Sequence, residues 1–398
     1  MGRIDGKVYF VPYSVPGDQL RIRVTQVGKR FSRGAISEIL SPGPGRRTPS
    51  CPLFGACGGC NWLHIEESVQ RSAKADFLSK ALGTSVDTVV PSPLSFGYRG
   101  PARLHFQVES KGVALGFMTA SGTDIIDVPE CPILTPRLNA SLPPLRNALQ
   151  AAASSPLNGE IRLANGRDAV GVCFLLAAAP PSSFPAAMET LPRALFSGAT
   201  LSVDGLEMPL FGADTVEVDG TDGVPFVAPT SSFGQANGGI NRQISAIVRR
   251  GLASRTFKRG IELFAGAGNL SVSIAPHVRN LVVSELDEAA CRRARINLDR
   301  RGYTHARVVP GDAKAVFERE GNGADLVVLN PPRTGHRELA RAVADAGPKT
   351  VVYVSCNPAT LARDIAELHR TGYNIAEVTG FDMFPQTAHM EAVVRLER

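Results

Sequence analysis

The stretch IELFAGAGNL, Ile261–Leu270, decides the fold. Ile261-Glu262-Leu263-Phe264 reads as the end of a β-strand, Ala265-Gly266-Ala267-Gly268 as a turn, and Asn269-Leu270 as the entry to a helix. Glycines in such a turn let the backbone approach a ligand closely, and the helix start offers free N–H groups. The third glycine of the dinucleotide fingerprint is missing. Glu285 closes the next apolar run, Leu281-Val282-Val283, seventeen residues after Gly268. A carboxylate there can accept hydrogen bonds from both hydroxyls of a ribose. Gly311-Asp312 follows the third run, Arg307-Val308-Val309. The set fits a nucleoside cofactor, S-adenosylmethionine ahead of a dinucleotide. A purely structural tight turn is the alternative.

Working outward, Leu326-Val327-Val328-Leu329 and Val351-Val352-Tyr353-Val354 continue the series of short β-branched runs, most of them separated by helical stretches. That alternation predicts an α/β domain with a mainly parallel, doubly wound sheet. Ligands of such sheets bind beyond the carboxyl ends of the strands. Two chemically loaded segments fall there. Asn330-Pro331-Pro332-Arg333 is a stiff turn with two N–H donors removed. An Asn-Pro-Pro turn followed by an aromatic residue is familiar in methyltransferases acting on exocyclic amines, but Arg333 follows here. Ser355-Cys356-Asn357-Pro358 puts a thiol at the end of another strand. A thiolate that attacks C6 of uracil makes C5 nucleophilic enough to take a methyl group from a sulfonium. A base must then remove the C5 proton so that the thiol can leave. An inert buried cysteine is the bland alternative.

Upstream, Lys7–Val11, Gln19–Val24 and Ala35–Ile39 alternate apolar and polar residues between the turns Pro16-Gly17-Asp18 and Gly28-Lys29-Arg30. This predicts a small antiparallel module of the OB type. The chain carries a net charge of +6, and residues 1–50 hold nine Lys/Arg against three Asp/Glu, so the whole excess lies there. A basic module on a near-neutral body suits a phosphate backbone, or is simply a solvated surface. Ser41-Pro42-Gly43-Pro44-Gly45 is a linker. Cys51, Cys57 and Cys60 are clustered, and Cys131 follows seventy-one residues after Cys60. Prolines after Cys51 and Cys131 and the lack of two close pairs favour an iron–sulfur cluster over zinc, with free thiols a third possibility. Seven cysteines in 398 residues do not make a secreted disulfide scaffold. No apolar stretch reaches membrane-spanning length, and the start MGRIDG has no apolar signal region. A cytoplasmic protein is expected.

Together these segments resemble the RNA 5-methyluridine (uracil-C5) methyltransferases of the RumA and TrmA type, in their iron–sulfur branch, over nearly the whole chain. Gly6–Pro12 with Pro16-Gly17-Asp18 is similar to the TRAM domain, an RNA-binding OB-like module, without its usual first strand. The resemblance implies cluster ligands at Cys51, Cys57, Cys60 and Cys131, and S-adenosylmethionine contacts at Gln235, Phe264, Asn269, Glu285 and Asp312. It implies Cys356 as nucleophile and, from Phe384–Glu391, Glu391 as the proton-abstracting base. Phe233, in the segment Ser232–Asn237, would stack on the target base. One position departs: the family has Asp where this chain has Asn330, which keeps an acceptor oxygen for cofactor or uracil but loses the charge.

The resulting expectation is a TRAM-like module over residues 1–48, an iron–sulfur-containing central region over 49–230, and a Rossmann-like methyltransferase domain over 231–398. The implied protein is a monomeric enzyme with S-adenosylmethionine and a [4Fe–4S] cluster. It forms 5-methyluridine in RNA, ribosomal ahead of transfer RNA, away from membranes. The rivals are an exocyclic-amine methyltransferase and an RNA-binding protein with a worn active site.

Overall fold

The computed structural model describes residues 2–152, 156–231 and 234–398. Near the N-terminus Asp5 and Gly6 both take positive φ, 48° and 78°. An Asp-Gly pair of this kind makes a two-residue hairpin, here joining β1 (Gly2–Ile4) to β2 (Lys7–Phe10). With β3 (Gln19–Val27) and β4 (Phe31–Ser41) they form a four-stranded sheet in the order β1-β2-β4-β3. The sequence reading expected an antiparallel OB-like barrel module whose strands began at Lys7, whereas β2 pairs in parallel with β4. Among the described residues the ladder begins at β1, and β1 and β3 are its two edges.

After α1 (Glu67–Leu82) and β5 (Val89–Val90) comes a second layer. It holds β6 (Ala102–Glu109), β7 (Gly112–Met118), β8 (Ile125–Asp127), α2 (Pro136–Ala152), β9 (Leu157–Asn165), β10 (Val170–Leu176), α3 (Phe184–Glu189), β11 (Phe196–Val203) and β12 (Leu206–Gly212). The strands run β12-β11-β10-β9-β6-β7-β8, antiparallel except for β10 beside β11. Leu138, Leu142, Leu145 and Leu149 of α2 make one helical stripe, and all four are buried in the core of this layer. A hairpin of β13 (Thr215–Asp219) and β14 (Pro225–Pro229) ends it.

The C-terminal part contains α4 (Gly238–Leu252), β15 (Phe257–Leu263), α5 (Ser271–Ile274), β16 (Val278–Glu285), α6 (Glu288–Asp299), β17 (Ala306–Pro310) and α7 (Ala313–Glu320). It continues with β18 (Leu326–Leu329), α8 (Arg337–Ala346), β19 (Thr350–Ser355), α9 (Pro358–His369), β20 (Asn374–Phe381) and β21 (Glu391–Glu397). Its sheet runs β17-β16-β15-β18-β19-β21-β20-β5. The strands β15 to β19 are mutually parallel, and β21 is antiparallel to both neighbours. Strand order reverses between β15 and β18, which is where an open α/β sheet leaves a crevice for a ligand.

One boundary differs from expectation. The sequence reading placed residues 49–230 in the central region; β5 pairs with β20 in the C-terminal sheet, and Ala75 and Leu78 of α1 share a core with Tyr353 and Leu361. The β13–β14 hairpin likewise docks on α6, where Asn297 Oδ1 accepts from the Val227 N–H at 2.8 Å. The physical reason is cover: β20 would otherwise be an exposed sheet edge.

Candidate active site

Two cavities open near the carboxyl ends of β15, β18 and β19. The first, of about 480 Å³, is lined by Gln235, Phe264, Gly266, Asn269 and Asn330. The second, of about 400 Å³, is lined by Cys356, Arg333, His389, Phe77 and Lys80. The turn Asn330–Arg333 gives its first residue to one cavity and its last to the other. The first is of the size that encloses small-molecule ligands.

Local geometry around the first cavity follows from the glycine turn. Phe264 has φ 63°, a left-handed conformation that costs a non-glycine residue on the order of 1–3 kcal/mol. Its ring lies 6.0 Å from that of His336. Glu285 binds the turn to the end of β16: it accepts from the N–H groups of Gly266 (2.9 Å), Leu286 (2.7 Å) and Asp287 (3.1 Å). Asp312 caps α7 by accepting from the N–H groups of Lys314 and Ala315 at 3.1 and 3.0 Å. Its neighbour Gly311 donates to the Glu285 carbonyl at 2.9 Å. Neither Glu285 nor Asp312 lines the cavity wall. Asn269 exchanges two amide hydrogen bonds with Asn241, each 2.8 Å, a partner that sequence reading did not single out. Phe233 lies outside the described residues.

Behind the second cavity, whose wall includes Cys356 but not Glu391, the sheet brings a thiol and a carboxyl to neighbouring positions. The β19–β21 ladder ends with Ser355 opposite Ala392, so the next residues outward are Cys356 and Glu391. Burial pushes the Cys356 thiol up, the Glu391 carboxylate adds to that, and Arg333 offsets part of it. Glu391 is only 7% exposed, and burial raises its carboxyl to about 8. Both groups are therefore mostly protonated at neutral pH before any ligand arrives.

The loop leading to Glu391 is held from α1 and from the segment before it. Lys74, fully buried, donates to Asp382 Oδ1 at 2.5 Å and to the Phe384 carbonyl at 3.1 Å. Breaking a buried pair of this kind costs about 3–5 kcal/mol. Gln386 has φ 71° and is fully buried. Its N–H donates to Gln70 Oε1 at 2.9 Å, its Oε1 accepts from Gln70 Nε2 at 2.9 Å and from Arg47, and its carbonyl accepts from the Trp62 N–H at 2.9 Å. Tyr98 adds an O–H donated to the Pro385 carbonyl at 3.1 Å. The sequence signals for this brace were absent, since a Gln at helical position 70 looks like any polar residue.

Cys51, Cys57, Cys60 and Cys131 line one small cavity of about 60 Å³, together with Phe54 and Arg99. Cys131 is drawn in by Asn139 of α2, whose amide accepts from the Cys131 N–H and donates to its carbonyl, both at 2.9 Å. Burial pushes the thiols of Cys57 and Cys131 up and that of Cys60 to about 12, with neighbouring thiols adding to each. Among the described residues no three His, Cys, Asp or Glu side chains converge closely enough to hold a single metal ion.

The family described as tRNA (Uracil-5-)-methyltransferase matches residues 320–398, and that described as Methyltransferase small domain matches residues 243–347. The chain is 33% identical over 403 residues to a 23S rRNA (uracil(1939)-C(5))-methyltransferase, RlmD, of Enterobacter sp. (strain 638), spanning 99% of this chain and 92% of that one. Its identity to RlmD of Salmonella typhi is 32% over 406 residues, spanning 100% and 93%. Among solved structures, the Pyrococcus abyssi tRNA (uracil-54, C5)-methyltransferase in complex with S-adenosyl-L-homocysteine is similar. Its TM-score is 0.76 at 26% identity, with 98% of this chain and 96% of that chain covered.

Proposed function

The chain belongs to the tRNA/rRNA uracil-C5 methyltransferase family, and from that premise we propose that it methylates C5 of a uridine in ribosomal RNA with S-adenosylmethionine as donor. The ribosomal substrate is favoured because relatives spanning the whole chain are named for 23S rRNA. In this reading the Cys356 thiol gives its proton to solvent and the thiolate adds to C6 of the uracil, moving the C5=C6 electrons into an enolate; C5 then bonds the methyl carbon as the methyl–sulfonium bond breaks. The Glu391 carboxylate takes the C5 proton, the C5–H electrons re-form the C5=C6 double bond, and the C6–S bond breaks to release the Cys356 thiolate. The observation that carries the reading is the meeting of Cys356 and Glu391 across the ends of β19 and β21, one turn away from a cofactor-sized cavity.

Gln235, Phe264, Asn269 and Asn330 are assigned to the cofactor as cavity walls, and Glu285 and Asp312 as the carboxylates behind the glycine turn. Asn330, in place of the family's Asp, supplies an acceptor without a charge. The open sheet of residues 1–48 is read as a TRAM-like RNA anchor, acting with a monomeric enzyme in the cytoplasm. No helix among the described residues is long and apolar enough to cross a membrane.

The four clustered cysteines would hold a [4Fe–4S] cluster. The reading rests on all four lining one cavity and on the prolines that follow Cys51 and Cys131. A cluster there would tie the loop 51–60 to the start of α2. Methyl transfer needs no electron carrier, so no step passes through it.

The reaction is tested with RNA containing 5-fluorouridine, whose C5 substituent cannot leave as a proton. The wild type should form a covalent protein–RNA complex that requires S-adenosylmethionine and contains Cys356. Cys356→Ala should give neither complex nor 5-methyluridine. A complex that persists in Cys356→Ala would remove Cys356 from the role of nucleophile.

A further inference from the structure

The mouth of the Cys356 cavity has a wall that the proposed chemistry does not use. α1 buries one stripe, with Gln70, Lys74, Ala75 and Leu78 inside. Phe77 lies three residues after Lys74 and seven after Gln70, a spacing that places it at the edge of that stripe. It is nevertheless 47% exposed and lines the cavity that holds the thiol. The ring of Trp62 stands beside it, with centroids 6.1 Å apart. Lys80, one turn further along α1, and Arg333, on the opposite turn, line the same cavity, and both are exposed. Neither side chain is held by a carboxylate among the described residues. Among the described residues Arg333 is engaged through its carbonyl, which accepts from Asn357 and Thr360. One exposed aromatic side chain and two exposed cations lining one cavity of about 400 Å³ match a short run of single-stranded nucleic acid.

We propose that Phe77 stacks on the base next to the target uridine while Lys80 and Arg333 hold the phosphates on either side. The proposal rests on the RNA-methylating reading above and deepens it. A uridine attacked at C6 must leave its stack, which costs a few kcal/mol. The neighbour then loses a stacking partner, and an aromatic side chain at the cavity mouth replaces it. Phe77 and Lys80 are thus positioning residues for the substrate, built on the helix that also braces the Glu391 loop through Gln70 and Lys74.

The test measures binding and turnover separately, using unmodified ribosomal RNA from a strain lacking the enzyme. Phe77→Ala should weaken RNA binding and raise KM by between about fivefold and a hundredfold, the range for loss of one base–aromatic stack. The kcat at saturating RNA and the S-adenosylmethionine affinity should stay unchanged, and Phe77→Trp should restore binding. Lys80→Ala should flatten the dependence of log affinity on log salt by about one phosphate contact. A purely structural Phe77 would lower thermal stability and leave RNA affinity alone. Unchanged RNA affinity in Phe77→Ala, with the wild type turning over, would overturn this surface and leave the reaction standing. Conversely, RNA affinity that depends on Phe77 in a protein that never yields 5-methyluridine would support the surface and count against the reaction.

Discussion

Replacing Glu391 by Gln should stop the proposed reaction after the methyl group has moved. Glu391 opens β21 beside Cys356, and its carboxyl is raised to about 8 by burial alone. A carboxyl raised to about 8 is mostly protonated at pH 7 and mostly ionised at pH 9, so release of methylated RNA by the wild type should speed up over that interval. Glutamine keeps the shape and a hydrogen-bonding oxygen but has no basic carboxylate. Elimination should then slow by about 10²–10⁴-fold and lose its pH slope. The assay is a denaturing gel of single-turnover reactions with methyl-labelled S-adenosylmethionine. The variant should accumulate a labelled protein–RNA band, whereas the wild type should show labelled free RNA. Free labelled RNA leaving the variant at the wild-type rate, or a wild-type release rate flat between pH 7 and 9, would refute the assignment of Glu391 as base.

Three further outcomes are expected. Lys29, Arg30 and Arg33 are exposed and make no ion pair among the described residues, so the triple alanine variant should flatten the salt dependence of RNA binding by about two to three units without changing S-adenosylmethionine affinity. Purified without oxygen, the protein should be brown and hold about four irons, and stoichiometric zinc without visible absorption would assign the cysteines to the other metal. Glu262, fully buried and accepting from Ser271, is raised to about 8 by burial, with the Glu285 charge adding to it. That lies above the ordinary carboxyl value of 4.5, so its contribution is whole below about 4.5 and is lost as pH rises through about 8. Glu262→Gln should therefore gain thermal stability relative to the wild type between pH 6 and 9, as thermal melts at stepped pH would show.

How much was legible depended on whether a residue's job was local. The Ile261–Leu270 strand, turn and helix and the runs that became β16 to β19 write their structure in short-range pattern, and they stand where the sequence placed them. The Asp5-Gly6 hairpin also had a local signal, and reading the first strand from the alternation at Lys7 passed over it. Non-local facts were less visible. Periodicity in α1 announces a buried stripe but not which core receives it, so the helix was grouped with the central region while it packs on the C-terminal sheet. The braces Gln70–Gln386 and Lys74–Asp382 join residues more than 300 positions apart and leave no trace in either neighbourhood. Phe77 and Lys80 were invisible for a related reason, because an aromatic residue near the edge of a helical stripe looks like core until its exposure is known.

The topology explains why the base sits on β21. In a parallel sheet every strand ends at the same edge, so residues following β15, β18 and β19 share the ligand edge while residues preceding them lie at the far side. A residue that opens a strand can stand at the ligand edge only if that strand runs backwards. β21 does so: it is antiparallel to β19, and its first residue, Glu391, lies one step beyond the Ser355–Ala392 pair, level with Cys356. The loop that must return the chain to this edge after β20 runs from Asp382 to Met390, and it is the segment gripped by Lys74, Gln70, Arg47 and Tyr98. Reversing one strand thus places a carboxyl against a thiol inside a low-dielectric wall, and α1 fixes the loop that makes the reversal possible. The same helix carries Phe77 and Lys80 at the cavity mouth. A shift of α1 would therefore move the base and the proposed RNA contacts together, tying the position of the substrate to that of the residue that completes the reaction.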